Sequence, residues 1–88
     1  MQSVVVTLEK ISTLVRICSE ESWAAGFLRL SQEFADAPQA TKDKIVSLYG
    51  GMGSFNDLVL YRDGKLLLSE NNELDQLRSE LFQLCRRT

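Results

Sequence analysis

The chain has 88 residues, 44% of them apolar and 25% charged, and a net charge of −2 at neutral pH. That is enough for one small domain, here residues 1–88, with a modest core of its own. The acidic balance excludes a general nucleic-acid binder, which needs a basic footprint, and the absence of histidine removes the commonest general base and metal ligand at neutral pH.

The chain begins MQSVVVTLEK, with no basic segment ahead of an apolar run, so no secretory signal is expected. No apolar run approaches the ~20 residues of a membrane span, so a cytoplasmic protein with no membrane partner is expected. Val4, Leu8, Ile11, Val15 and Cys18 recur at alternating helical spacings and predict an amphipathic helix over about residues 3 to 18. Glu9, Ser12, Thr13 and Arg16 fall on its other side. Cys18 and Cys85 both lie on apolar helix faces and read as buried, reduced thiols.

Ser19 offers a hydroxyl to cap a second helix, with Glu20 and Glu21 in its first turn where the helix dipole favours carboxylates. Trp23, Phe27, Leu30 and Phe34 form its stripe. Ala24, Leu28, Ser31 and Ala35 widen the apolar sector, which predicts the central helix with neighbours on two sides. Ala37-Pro38 breaks the chain, and proline suits the first position of a third helix over about 38 to 49. That helix buries Ile45, Leu48 and one side of Tyr49 and stops at Gly50.

Gly50, Gly51 and Gly53 crowd the segment YGGMGSFNDL that begins at Tyr49. Gly50 and Gly51 suit the left-handed conformation that closes a helix. A phosphate loop needs a lysine after its last glycine and a strand before the loop, and this segment has neither. Leu58 to Tyr61 and Lys65 to Leu68 flank Arg62-Asp63-Gly64, which predicts a β-hairpin turning at Asp-Gly. The competing reading makes residues 55 to 61 a short helix capped by Ser54. Asn71 or Asn72 then caps a last helix, with Glu73 and Asp75 in its first turn, Arg86 and Arg87 in its last, and Leu74, Leu77, Leu81 and Leu84 as its stripe. The predicted fold is α+β, mainly α: three N-terminal helices, a β-hairpin and a C-terminal helix.

No nucleophile, base and orienting group can be assembled from these residues, so no enzyme, cofactor or metal site is expected. The surface is more informative. A hairpin apolar on both faces leaves one face to be covered or to serve as a contact. Glu70, Glu73 and Asp75 add an acidic rim with no basic residue between Lys65 and Arg78, which suits a basic partner. The expected partner-binding residues are Tyr61, Arg62, Glu70, Glu73 and Asp75, with Met52 and Asn56 from the glycine turn.

The segments YGGMGSFNDL, YRDGK and ENNELDQLRSEL, from about residue 45 onward, resemble a family of small bacterial cytoplasmic proteins. GGMGSFND is the most specific part of the match. Some members look like immunity proteins of polymorphic toxins. The resemblance implies no catalytic residues. It implies stoichiometric binding to a cognate toxin domain, which would be occluded. The alternative is a small self-associating structural or regulatory module, a homodimer through the hairpin.

Overall fold

Ser3 accepts a hydrogen bond from the Val6 amide (3.1 Å) and caps α1, Val4–Ile17, in a computed structural model that describes residues 3–50 and 54–86. The stripe Val4, Leu8, Ile11, Val15 and Cys18 is buried as expected, and Thr7, Ser12 and Leu14 are buried with it. Ser12, expected on the solvent side, instead lies against α2 (Glu21–Phe34) and donates its hydroxyl to the Ala24 carbonyl at 2.8 Å. Partnering of that kind is the condition for burying a polar group. The buried sector is wide because α1 packs on α2 along one side and on α4 (Leu68–Arg86) along another. α2 has neighbours on two sides as expected, α1 and α3 (Pro38–Ser47), but α1 buries more of its residues, seven against three. Phe27 and Ala24 of α2 are buried, while Trp23, Leu30 and Phe34 are only partly covered.

Ser19 does not cap α2. It sits at φ 66° and closes α1. The Glu20 amide reaches the Val15 carbonyl (2.9 Å) and the Ser19 amide reaches the Arg16 carbonyl (3.0 Å), the paired bonds of a Schellman closure. Glycine normally takes the left-handed position because it has no Cβ to clash. Ser19→Gly should therefore stabilise the protein by about 0.5–1 kcal/mol, read as a higher denaturant midpoint.

Pro38 opens α3, Pro38–Ser47, as expected, and Ile45 is its buried anchor. Gly50 is not the left-handed closing residue that the sequence suggests, and a Cβ there would meet nothing within 4 Å. The end of α3 is satisfied from across the loop. The Phe55 amide donates to the Leu48 carbonyl (2.9 Å), and the Asn56 side-chain amide donates to the Tyr49 carbonyl (2.6 Å). Gly51, Met52 and Gly53 lie outside the described residues. Phe55–Asp57 forms a single 3-10 turn with Ser54 accepting from the Asn56 amide, so the competing helical reading holds for three residues.

The hairpin is present but short: β1, Tyr61–Arg62, pairs antiparallel with β2, Lys65–Leu66. Asp63 (φ 53°) and Gly64 (φ 76°) both take positive φ, as a two-residue type I′ turn requires. The ladder stops because α4 begins at Leu68, about a turn before the expected caps. Leucine is a strong helix former and lacks the β-branching that favours strands. Asn71 does not cap this helix. Its side chain accepts from the Leu60 amide (2.8 Å) and donates to the Leu60 and Leu67 carbonyls (2.9 and 2.8 Å). The Leu67 amide still donates to the Leu60 carbonyl (3.1 Å), and Asn71 bridges the other bond of that pair, between the Leu60 amide and the Leu67 carbonyl.

The helices close a ring in which α1 contacts α2 and α4, and α3 contacts the same two. The architecture is α+β, mainly α, with three helices, a hairpin and a final helix as expected. Among the described residues, no helix is long and apolar enough to cross a membrane.

Candidate protein-binding surface

Two clusters contain the expected contact residues, and they lie on different sides of α4. Glu73 and Asp75 are two residues apart, about 200° around a helix. Glu70 and Glu73 turn toward the end of α1 and share a surface hollow of about 560 Å³ with Leu14, Ile17 and Gln76. Asp75 instead borders a hollow of about 440 Å³ with Tyr49, Asn56, Arg78 and Phe82. Met52 lies outside the described residues.

The first cluster gathers around the hairpin. Tyr61 and Leu66 stand directly opposite each other across the two strands, so their side chains share a face. They are 55% and 53% exposed, with Val59 at 42% and Leu68 at 68% just outside the pair. Arg62 donates from Nη2 to the Ile17 carbonyl at 2.7 Å, which ties the hairpin to the last turn of α1. Arg62 stands on the hairpin face opposite Tyr61 and Leu66, so Ile17, itself 57% exposed, lies on the α1 side of the hairpin, where it shares the hollow with Glu70 and Glu73. Five large apolar side chains left this open beside acidic groups are more than the isolated surface leucine that needs no explanation. Other hairpin residues expected on the two faces are covered: Leu60 is buried, and Leu58 and Leu67 are partly so.

Acid continues along the groove between α1 and α4. Glu9, Glu73 and Glu80 line a hollow of about 700 Å³ there against Lys10, with Val6 exposed beside them. Among the described residues, Glu9, Glu70, Glu73 and Glu80 have no ion-pair partner. Cys18 lies beneath this surface. Burial raises its thiol pKa, Glu70 and Glu20 raise it further, and Arg62 opposes them. The thiol therefore stays protonated and unreactive at neutral pH. Cys85 is also buried and free, and burial lifts it to about 11.

The second cluster holds the fold together. Arg78 reaches from α4 to the carbonyls of Phe55 and Leu58, pairs with the Asp75 carboxylate, and lies 5.4 Å over the Phe55 ring. The Tyr49 hydroxyl donates to the Arg78 carbonyl at 2.7 Å, and burial pushes that phenol well above its ordinary range. Asn56 and Asp75 are thus committed to local bonds, which leaves the hairpin cluster as the candidate surface. Sequence reasoning missed Ile17, Asn71 and Arg78. The available signals were an apolar residue off the α1 stripe and an arginine immediately beside the core position Leu77. Among the described residues, no group of three or more cysteine, aspartate and glutamate side chains could hold a metal ion.

No curated protein and no solved structure matches the chain. One family model does, over residues 16–68, from the last turn of α1 through the hairpin to the first residue of α4. That segment is more than half of the chain and includes Ile17, Val59, Tyr61, Arg62, Leu66 and Leu68 of the hairpin cluster, and the chain belongs to the family described as a domain of unknown function, DUF6966.

Proposed function

We propose that the protein is a stoichiometric protein-binding protein, in its most concrete form an immunity protein of the bacterial cytoplasm that occludes a cognate toxin domain. The observation that carries the binding role is the set of exposed apolar side chains at the hairpin, Val59, Tyr61, Leu66 and Leu68, together with exposed Ile17 at the end of α1, which borders a hollow with the Glu70 and Glu73 carboxylates. Its chemistry suits a partner with an apolar centre and a basic surround. The apolar residues supply burial energy, and the carboxylates steer encounter and reject acidic surfaces. The toxin is suggested by the resemblance of the GGMGSFND segment to proteins of that kind.

The test is protection of bacteria expressing the toxin from an adjoining reading frame, together with pull-down of that toxin at two salt concentrations. Tyr61→Ala should weaken binding and protection. The double reversal Glu70→Lys, Glu73→Lys should slow association and reduce its salt dependence, because rim charges act chiefly on encounter. Stability should fall by no more than a few tenths to about 1 kcal/mol, mostly through Glu70 in the first turn of α4. If folded Tyr61→Ala and the double reversal both protect fully, this surface is the wrong one. If the purified protein is instead a dimer that Tyr61→Ala dissolves, self-association through the same surface replaces toxin binding.

A further inference from the structure

The cleft between α2 and α3 has the features of a ligand site that the hairpin face does not use. It is a hollow of about 390 Å³ whose apolar surface comes from Trp23, Phe27, Leu30 and Leu48. Pockets that take small molecules run ~300–1,000 Å³ and are largely apolar with a few placed polar groups. Gly26 lies in the same wall, near the middle of α2. Glycine weakens a helix interior relative to alanine. Here a Cβ would meet nothing within 4 Å, so packing within the protein does not require the glycine. Its absent side chain leaves the α2 backbone open to the cleft, where a ligand can approach closely.

Charge points to the kind of ligand. Arg29, Lys44 and Glu33 border the cleft. Lys44 is paired with Glu33 at 3.1 Å, while Arg29 has no ion-pair partner among the described residues. The cleft therefore presents a net positive rim on a chain of net charge −2. We propose that it binds a small amphipathic anion, a medium-chain acyl carboxylate. The chain of that ligand lies along Trp23, Leu30 and Leu48 over Gly26, and its carboxylate meets Arg29. A planar guanidinium suits a carboxylate because it can offer two parallel N–H donors.

Trp23 is the chain's one tryptophan, so its emission reports occupancy of the cleft directly. The full-length protein would be titrated with decanoate and with 1-decanol, which has the same chain and no charge. Decanoate should give a saturable change in Trp23 emission, with 1-decanol and the Arg29→Gln variant each weaker by about tenfold. Gly26→Ala should weaken decanoate by about tenfold or more, the added methyl occupying space that the ligand needs. The same variant should raise the melting temperature by about 4–8 °C, which separates lost binding from lost folding. The proposal is overturned if decanoate gives no saturable change, if 1-decanol binds equally well, or if Gly26→Ala binds like the wild type. None of these outcomes bears on Tyr61 or the hairpin face, so failure here leaves the proposed protein-binding role standing.

Discussion

Phe55→Ala should lower the unfolding free energy by about 3–5 kcal/mol, the cost of removing a fully buried aromatic ring. Phe55 is completely covered although it follows the glycine-rich loop. Its ring centroid lies 4.6 Å from that of Phe27, 5.4 Å from Tyr49 and 5.6 Å from Trp23. It is thus the point where α2, the end of α3 and the loop meet. A small domain has only about 5–15 kcal/mol in total, so the variant should be marginally folded at room temperature. Trp23→Ala provides the comparison. The sequence pattern marks Trp23 as a core anchor, but it is only partly buried, and its truncation should cost less than that of Phe55. Denaturant midpoints for the two variants check this order. A larger loss at Trp23 would contradict the packing described above.

Arg78→Met should cost about 2–4 kcal/mol. Methionine can replace the aliphatic stem but not the donors that Arg78 gives to the Phe55 and Leu58 carbonyls. A hydrogen bond from a charged group contributes about 1.5–3 kcal/mol, and leaving a covered acceptor unpaired costs about 1–3 kcal/mol. Asp75→Asn should cost less than about 1 kcal/mol, because that carboxylate is largely in water and exposed ion pairs contribute little. Equilibrium unfolding measures both, and hydrogen exchange should show the Phe55–Leu58 segment loosening first in Arg78→Met. Equal effects of the two substitutions would show that the ion pair, not the carbonyl clamp, is what matters.

Arg78 also marks where the sequence stops being informative. Helical periodicity located all four helices to within a few residues, because apolar stripes such as Val4, Leu8, Ile11 and Val15 face a core whatever their neighbours are. Asp63-Gly64 located the turn, because few dipeptides accept positive φ twice. Tertiary hydrogen bonds were not legible. Ser19 looks like a cap and serves as a closing residue. Asn71 looks like a cap and fastens Leu60. Arg78 enters the sequence pattern only as the next basic residue after Lys65, and it holds the loop. Each depends on a carbonyl or amide brought near by the fold, and one-dimensional spacing does not encode that proximity. The candidate surface was half legible for the same reason. Glu70 and Glu73 come together at the end of α1, but nothing in the sequence places Ile17 with them, although it shares their hollow and Arg62 holds its carbonyl. Asp75 was grouped with them by nearness in sequence and is separated by the turn of the helix.

Hydrogen exchange on the protein mixed with the toxin proposed as its partner tests the proposed binding role most directly. The account predicts slowed exchange in three places: the last turn of α1 around Ile17, residues 59 to 68, and the start of α4 through Glu73. The α2–α3 cleft should be unchanged. Protection confined to other surfaces, with the hairpin amides exchanging as in the free protein, would contradict it.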